Sequence, residues 1–481
     1  MHWAVACHVT GMVLLCVGLS MAWPLAWALY YADSSVIPLA ESLGLTMLIG
    51  LVLLLSFRRR APLVINHREG MVIVTMGWLA CALFGALPFV LGGAASFTDA
   101  FFESMSGFTT TGSSILTDIE ALPKGLLFWR SLTHWLGGMG IIVLTIAILP
   151  FLGVGGMQLY KAEVPGPVAD KLQPRIKDTA MSLWKVYVLF TVTQVVLLRV
   201  GGMDLFESIC HAFGTMATGG FSTRNASIAA YDSAYIDYVV AVFMLLAGIN
   251  FALHFQLFRG RGLPMWRNPE FRFFAVLVFV LICVVTLATR GPVYDNWSDA
   301  LRFGFFQVAS IISTTGYATA DYELWPALTQ GVLLLGMFVG GCAGSTSGGI
   351  KAMRIMLLFK HGYRELFRLV HPRAVVPLKF GAKQVKDDVL ASVWGFFILF
   401  LLLLVVSSLI LTGLGLDVLT AFTAVLACIS NIGPGLGEVG PTDNFSGIPA
   451  LGKWVLTLCM LLGRLEIYTV LVLFIPEFWR K

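Results

Sequence analysis

Thr109-Thr110-Thr111-Gly112-Ser113 closes an apolar stretch too short to cross a membrane. Three further stretches repeat its form at intervals of about one hundred residues: Met216-Ala217-Thr218-Gly219-Gly220, Ser313-Thr314-Thr315-Gly316-Tyr317 and Ser430-Asn431-Ile432-Gly433-Pro434. Gly takes backbone angles that other residues avoid, so each turn can rotate successive carbonyls to one side. Four like turns from one chain can surround a single axis, the construction by which backbone carbonyls strip water from a cation. A single Thr-Gly in a membrane protein is ordinarily a plain turn. Four in register point to one shared pathway.

Composition sets the class around these turns. With 58% apolar and 12% charged residues in 481, too little polar surface remains for a soluble protein. Runs long enough to span a bilayer, about 20 residues each, centre on residues 9–31, 36–57, 71–92, 127–152, 181–200, 235–258, 271–290, 327–360, 389–412 and 450–475, which makes ten crossings. The first run lacks a basic start and a nearby small-residue cleavage site, so it reads as a helix and not a signal peptide. Alternating strand patterns are absent, which leaves an all-α bundle as the spanning solution. The eight cysteines lie singly in apolar segments, without metal-site spacing, and read as packing residues.

Aligning the turns exposes a repeated unit of helix, short re-entrant helix, Gly turn and helix. A leading helix pair over 1–60 is followed by units over 61–160, 161–260, 261–375 and 376–481. In the first unit Phe101-Phe102-Glu103 and Ser106 precede Gly112; in the third Phe305-Phe306-Gln307 and Ser310 stand at the same offsets before Gly316, and Phe422 takes the first Phe offset in the fourth. The second unit, aligned on Gly219, puts Cys210 where Glu103 and Gln307 fall. Asp99, Asp204, Asp299 and Asp417, near the starts of the short helices, are expected as N-caps.

Lys and Arg collect on one side, as cytoplasmic loops require. The clusters are Arg58, Arg59, Arg60 and Arg68; Lys161, Lys171, Arg175 and Lys177; Arg259, Arg261, Arg267 and Arg272; and a longer series from Lys351 and Arg354 to Lys386. The opposite loops, which hold the turns, carry 15 acidic residues against Lys124, Arg224 and Arg302. Such a surface concentrates cations at its mouth and repels anions.

Two features break the apolar pattern. Gly340-Gly341-Cys342-Ala343-Gly344-Ser345-Thr346-Ser347-Gly348-Gly349-Ile350-Lys351 lies inside the eighth run, and interior Gly costs a helix about 1 kcal/mol each. Irregular backbone at membrane depth survives only where protein buries it or a watery cavity receives it, so a mobile loop is expected beneath the turns. A phosphate-binding loop does not fit, because its Lys would fall at 350, which is Ile. Arg464, inside the last run, aligns with Gly138, Gly248 and Gly341 and is expected to project into the cavity below the turns, there to repel an ion or to brace the loop after Gly344. Glu466, two residues on, faces elsewhere and suits a partner on another helix. His134, His211 and His254 read as satisfied core groups. No Ser/His/Asp grouping points to an intramembrane hydrolase.

These stretches resemble the Trk/Ktr/HKT superfamily of potassium uptake proteins along essentially the whole chain, and the leading helix pair is similar to its bacterial TrkH branch. The segments Met216 to Thr223, Gly340 to Lys351 and Ser430 to Gly435 carry the resemblance with the Thr-Gly turns. It implies potassium uptake across a bacterial inner membrane, with both termini cytoplasmic. It implies a filter of Thr110, Thr111, Gly112, Ser113, Thr218, Gly219, Gly220, Thr314, Thr315, Gly316, Tyr317, Asn431, Ile432, Gly433 and Pro434. It also implies a gate of Gly344, Ser345, Thr346, Ser347, Gly348, Gly349, Lys351 and Arg464. A homodimer, a cytosolic nucleotide-binding regulator of the RCK type (TrkA-like), no enzyme activity, no cofactor on this chain and no nucleic acid are further implied. A sodium- or proton-coupled symporter on the same scaffold is the alternative reading.

Overall fold

The structure, a computed structural model, describes residues 3–58, 67–140, 176–260, 262–381 and 383–480. It is helical almost throughout; among the described residues the one strand pair is Lys379–Phe380 against Lys383–Gln384. Six helices are long and apolar enough to cross a membrane, or eight if each of two bent pairs counts as one span. The six are Trp3–Tyr31, Val36–Phe57, Arg68–Leu91, Ala180–Val200, Pro269–Thr289 and Asp387–Gly413. The fourth expected run begins as the helix Lys124–Trp135 and a wider turn over Leu136–Gly140. Its remainder lies outside the described residues, as do Arg59, Arg60, Lys161, Lys171, Arg175 and Arg261.

Three expected single spans are broken. Residues 235–258 form Ala234–Ala247 and Phe251–Phe258, bent by 102°, and residues 450–475 form Ala450–Arg464 and Tyr468–Phe474, bent by 112°. The first bend follows from Gly248 ending one helix and Asn250 starting the next, its side chain accepting from Ala252 N. At the second, Glu466 and Ile467 both take positive φ, 60° and 54°. The eighth run divides, as its Gly and Ser content demands, into Ala327–Val339 and Ala352–Val370 around the Gly340–Lys351 segment. Groups freed at the first bend are taken up by that segment: Gly248 O accepts from Cys342 N at 2.8 Å, and Phe251 N donates to Gly344 O at 3.1 Å. No carbonyl or amide need be left bare there.

The leading pair packs through small residues, with Gly11 and Gly50 so close that a methyl on Gly11 would lie 2.8 Å from Gly50 O. The chain's ends meet on one side: Trp3 stacks on Trp479 with centroids 5.7 Å apart, and Arg68 donates to Phe478 O and Arg480 O. Between the spans four short helices, Phe97–Phe108, Leu205–Met216, Trp297–Ile312 and Val418–Ile429, run inward and stop. Beyond their exposed first turns they are largely buried, with Phe102, Phe108, Phe206 and Phe306 at the core, while Val276, Phe279 and Leu287 project outward as lipid-facing groups do.

The caps of these helices differ in part from expectation. Asp204 and Asp417 are N-caps, accepting from Glu207 N at 2.6 Å and Thr420 N at 3.0 Å. In the first short helix Ser96 is the cap and Asp99 sits three residues in, the two side chains bonded at 2.8 Å. Asn296 likewise precedes Asp299 by three in the third. The acid at the third position belongs to a capping box, which places the cap three residues earlier.

Four turns around one axis

Each short helix ends in the same hydrogen-bonded turn. The amide of residue 110, 218, 314 or 431 donates three residues back at 3.0–3.3 Å, and the next amide donates five back at 2.8–2.9 Å. This is the Schellman ending, whose pivotal residue must be left-handed. Thr110, Thr218, Thr314 and Asn431 have φ of 54°, 55°, 60° and 53°; two residues on, Gly112, Gly220, Gly316 and Gly433 have φ of 86°, 79°, 83° and 104°.

These angles correct the register of the second unit, because Gly220 and not Gly219 is the counterpart of Gly112. A doubled glycine hides a one-residue slip from sequence alignment, whereas the backbone angle does not. Nine residues before the left-handed glycines now stand Glu103, His211, Gln307 and Ala424. The first three hold the segment that leads away from their turn. Glu103 accepts from Ile115 N at 2.9 Å and Ser114 Oγ at 3.0 Å, His211 Nε2 meets Ser222 Oγ at 3.0 Å, and Gln307 Nε2 donates to Ala320 O at 3.0 Å. In the fourth unit Thr423 Oγ1 serves, donating to Leu436 O at 2.8 Å and accepting from Leu436 N at 3.0 Å.

The turns interlock in a closed order. A methyl placed on Gly112 would strike Gly219 O, on Gly220 Thr315 O, and on Gly316 Ile432 O; on Gly433 it would lie 2.9 Å from Thr111 O. Carbonyls of Thr111, Gly219, Thr315 and Ile432 thus alternate with the four glycines around one ring. Side chains at this level turn into the scaffold. Thr111 Oγ1 meets Thr109 Oγ1 at 2.8 Å and Asn431 Nδ2 at 2.9 Å, Thr315 Oγ1 meets Ser313 Oγ at 2.7 Å, and Ser113 Oγ donates to Gly433 O at 3.2 Å. Tyr317 reaches sideways to donate to Phe221 O at 3.1 Å, and Pro434 packs against Gly316.

Arg130, which sequence reasoning passed over, ties two units together. Its Nε meets Glu103 Oε1 at 2.6 Å, its Nη1 donates to Ser222 O at 2.8 Å, and its guanidinium lies 3.6 Å from the Phe221 ring centre. His134, also left without a role, stacks on Phe221 at 4.0 Å, and its Nδ1 accepts from Phe221 N at 3.4 Å. The signal for Arg130 was Glu103 itself, since a carboxylate on a buried helix needs a cation. Glu103, Glu207 and Asp237 are buried and paired with Arg130, Arg224 and Arg302, so fewer acids face solvent than the raw count suggests. On the loops near the turns Asn225 and neighbouring amides hold the Asp118 carboxyl below the usual range, and burial raises that of Glu323.

Beneath the ring the Gly340–Lys351 segment lies where its composition led us to expect a loop, and it is hydrogen-bonded to its surroundings. Gly348 N donates to Thr314 Oγ1 at 2.7 Å; Thr346 Oγ1 lies 3.1 Å from Met216 O and 3.2 Å from Ala247 O. Ser345 Oγ donates to Cys342 O at 2.6 Å, Lys351 Nζ to Ser347 O, and Glu270 Oε1 accepts from Ala343 N at 2.7 Å. Gly344 and Gly349 take φ of 77° and 74°. Arg464 donates to Gly137 O (2.6 Å), Gly138 O (2.9 Å), Thr346 O (2.9 Å) and Thr110 Oγ1 (3.0 Å), all neutral acceptors. Glu466 pairs with Arg354 instead, on the helix that follows the segment.

Comparison with known proteins places this arrangement. A family described as TrkH, cation transport protein, matches residues 40–481. The chain is 45% identical to a Trk system potassium uptake protein TrkH of Salmonella typhimurium and 38% identical to the TrkG protein of Escherichia coli, covering 100% of this chain in both and 100% and 99% of those proteins. It is also similar to the crystal structure of the potassium transporter TrkH from Vibrio parahaemolyticus, with a TM-score of 0.90, 40% identity and full coverage of both chains. The chain belongs to the TrkH family of cation transport proteins.

Proposed function

We propose that this protein carries potassium into the bacterial cell through the ring of Thr111, Gly219, Thr315 and Ile432 carbonyls, as four helix-turn-helix units following a leading pair. The closed alternation of carbonyl and glycine is the observation that carries this reading. Main-chain oxygens can replace the hydration shell of a cation without the full charge that would trap it. The short helices direct their C-terminal ends, and so partial negative charge, toward the same place. Relatives named as potassium uptake proteins supply the ion.

The Gly340–Lys351 segment and Arg464 are the gate in this reading. The segment bonds to parts of the second and third units, and Arg464 joins it to the first. A second glycine two residues after the left-handed one occurs only in the fourth turn, Gly433-Pro434-Gly435. Potassium preference over sodium is therefore real but less strict than in a tetrameric channel with that glycine in every unit. Flux into liposomes under separate potassium and sodium gradients tests both statements. Absence of cation flux sinks the function, and equal permeability sinks the preference.

Arg464→Ala is expected to raise flux, because it removes a fixed positive charge and one anchor of the segment. Unchanged flux in folded protein would remove the barrier role. Regulation is assigned to a cytosolic nucleotide-binding ring of the RCK type acting on a homodimer, through the basic helix Ala352–Val370 that continues the gate. Arg364 is buried and pairs with Glu365 and Asp387, so it is a poor probe of docking. Charge reversal at Arg368 and the exposed Arg373 should abolish regulation and leave ion preference intact. Regulator binding equal to wild type would reject that surface.

A further inference from the structure

The carbonyls one step beyond the left-handed glycines are those of Ser113, Phe221, Tyr317 and Pro434. A pathway that used them as a second ring would keep all four free to face an ion. Two are taken by hydroxyls instead. Ser310 Oγ donates to Tyr317 O at 2.6 Å, and the Tyr317 hydroxyl donates to Phe221 O at 3.1 Å. Ser113 O and Pro434 O accept no hydrogen bond among the described residues.

The two donors are one device reached by two routes. Ser310 stands six residues before Gly316 on the short helix behind its own turn, so the carbonyl that it holds points back into the scaffold. Six residues before Gly220 the chain has Gly214, which carries no hydroxyl. A methyl on Gly214 would strike the Tyr317 hydroxyl and lie 3.1 Å from Phe221 O. Tyr317 therefore reaches across from the third unit into the place that a serine at 214 would fill. In the first unit Ser106 has the same offset, but its buried Oγ has no partner among the described residues; the fourth unit has Ala427 there. The second and third units are neighbours in the ring, as are the fourth and first.

We infer that the Ser310 and Tyr317 hydroxyls limit ion preference, by turning the carbonyls of Tyr317 and Phe221 out of the pathway and leaving one side of this level to water. An ion here meets free carbonyls from the first and fourth units and keeps its hydration toward the second and third. Carbonyls discriminate between cations by replacing the hydration shell, so a level that lets water stay discriminates weakly. The loose preference then has a cause in two side chains as well as in the missing second glycine, a role that rests on the potassium pathway proposed above.

The ratio of potassium to sodium flux tests it, in full-length protein in liposomes under separate gradients. Ser310→Ala and Tyr317→Phe each release one carbonyl to the pathway, and each should raise the ratio roughly two- to tenfold, the span of one hydrogen bond. A hydroxyl that only supported the structure would leave the ratio unchanged or lower it. Gly214→Ser added to Tyr317→Phe restores a hydroxyl beside Phe221 O and should return the ratio to its wild-type value; a ratio that stays raised there rejects the hydroxyl as the cause. Ser106→Ala removes a hydroxyl that holds nothing and should not move the ratio. An unchanged or lowered ratio in either folded single variant overturns the inference, as does a rise in Ser106→Ala equal to theirs. If one single variant does not fold, the other decides. Misfolding of both also overturns it, because each released carbonyl is given a new partner in the pathway. Potassium-preferring flux in the wild type with no change in the variants rejects the role of the hydroxyls only, whereas absence of wild-type cation flux rejects the pathway and this role with it.

Discussion

Gly316→Ser should abolish most potassium-preferring flux and bring the potassium to sodium permeability ratio toward one. Gly316 holds φ of 83°, which costs an L-residue about 1–2 kcal/mol. The added Cβ would also strike the Ile432 carbonyl and lie 2.7 Å from Pro434 Cδ. Neither neighbour is a flexible side-chain end, so relief must come from moving ring carbonyls. At 1.36 kcal/mol per tenfold, a strain of about 1–3 kcal/mol lowers flux by roughly five- to 160-fold. The same substitution at Gly331, where an added Cβ meets nothing within 4 Å, should leave flux unchanged. Wild-type flux and preference in Gly316→Ser would mean that the four turns serve packing alone.

Arg130→Met should destabilise the fold more than any change at the rim. It leaves the Glu103 carboxylate, 1% exposed, without its cation and removes the donor to Ser222 O that joins the segments after the first and second turns. Breaking a buried ion pair on one side costs about 3–5 kcal/mol, a fall in melting temperature on the order of 10 °C in detergent. Glu103→Gln added to Arg130→Met keeps the bonds to Ile115 N and Ser114 within reach of a neutral side chain. It should recover at least half of the loss. A double variant as unstable as the single one would show that charge burial is not the cause.

Helical class, most spans and all four turns were legible in the sequence, because each rests on a local rule: apolar length, or Gly after a short run that contains Thr or Asn. The interruption at Gly340–Lys351 was legible for the same reason. What escaped depends on distant contacts. The bend at Glu466 and Ile467 puts positive φ on two residues that are not Gly, which nothing in their letters announces. Arg130 and His134 sit within apolar helix and acquire their work only when Phe221 and Ser222, some ninety residues later, come to rest on them. The Gly219-Gly220 register was ambiguous in letters and single-valued in backbone angle. Composition announced the interruption, but not the hydrogen bonds from three units that hold the Gly/Ser segment in place here.

The order of the ring follows the order of synthesis, and its last contact joins Gly433 to Thr111, 322 residues earlier in the chain. In the proposed reading, a nascent chain that has not yet delivered its fourth turn holds three sides of a pathway and an open flank. Arg464, only 31 residues after Gly433, arrives almost together with the turn that closes the ring.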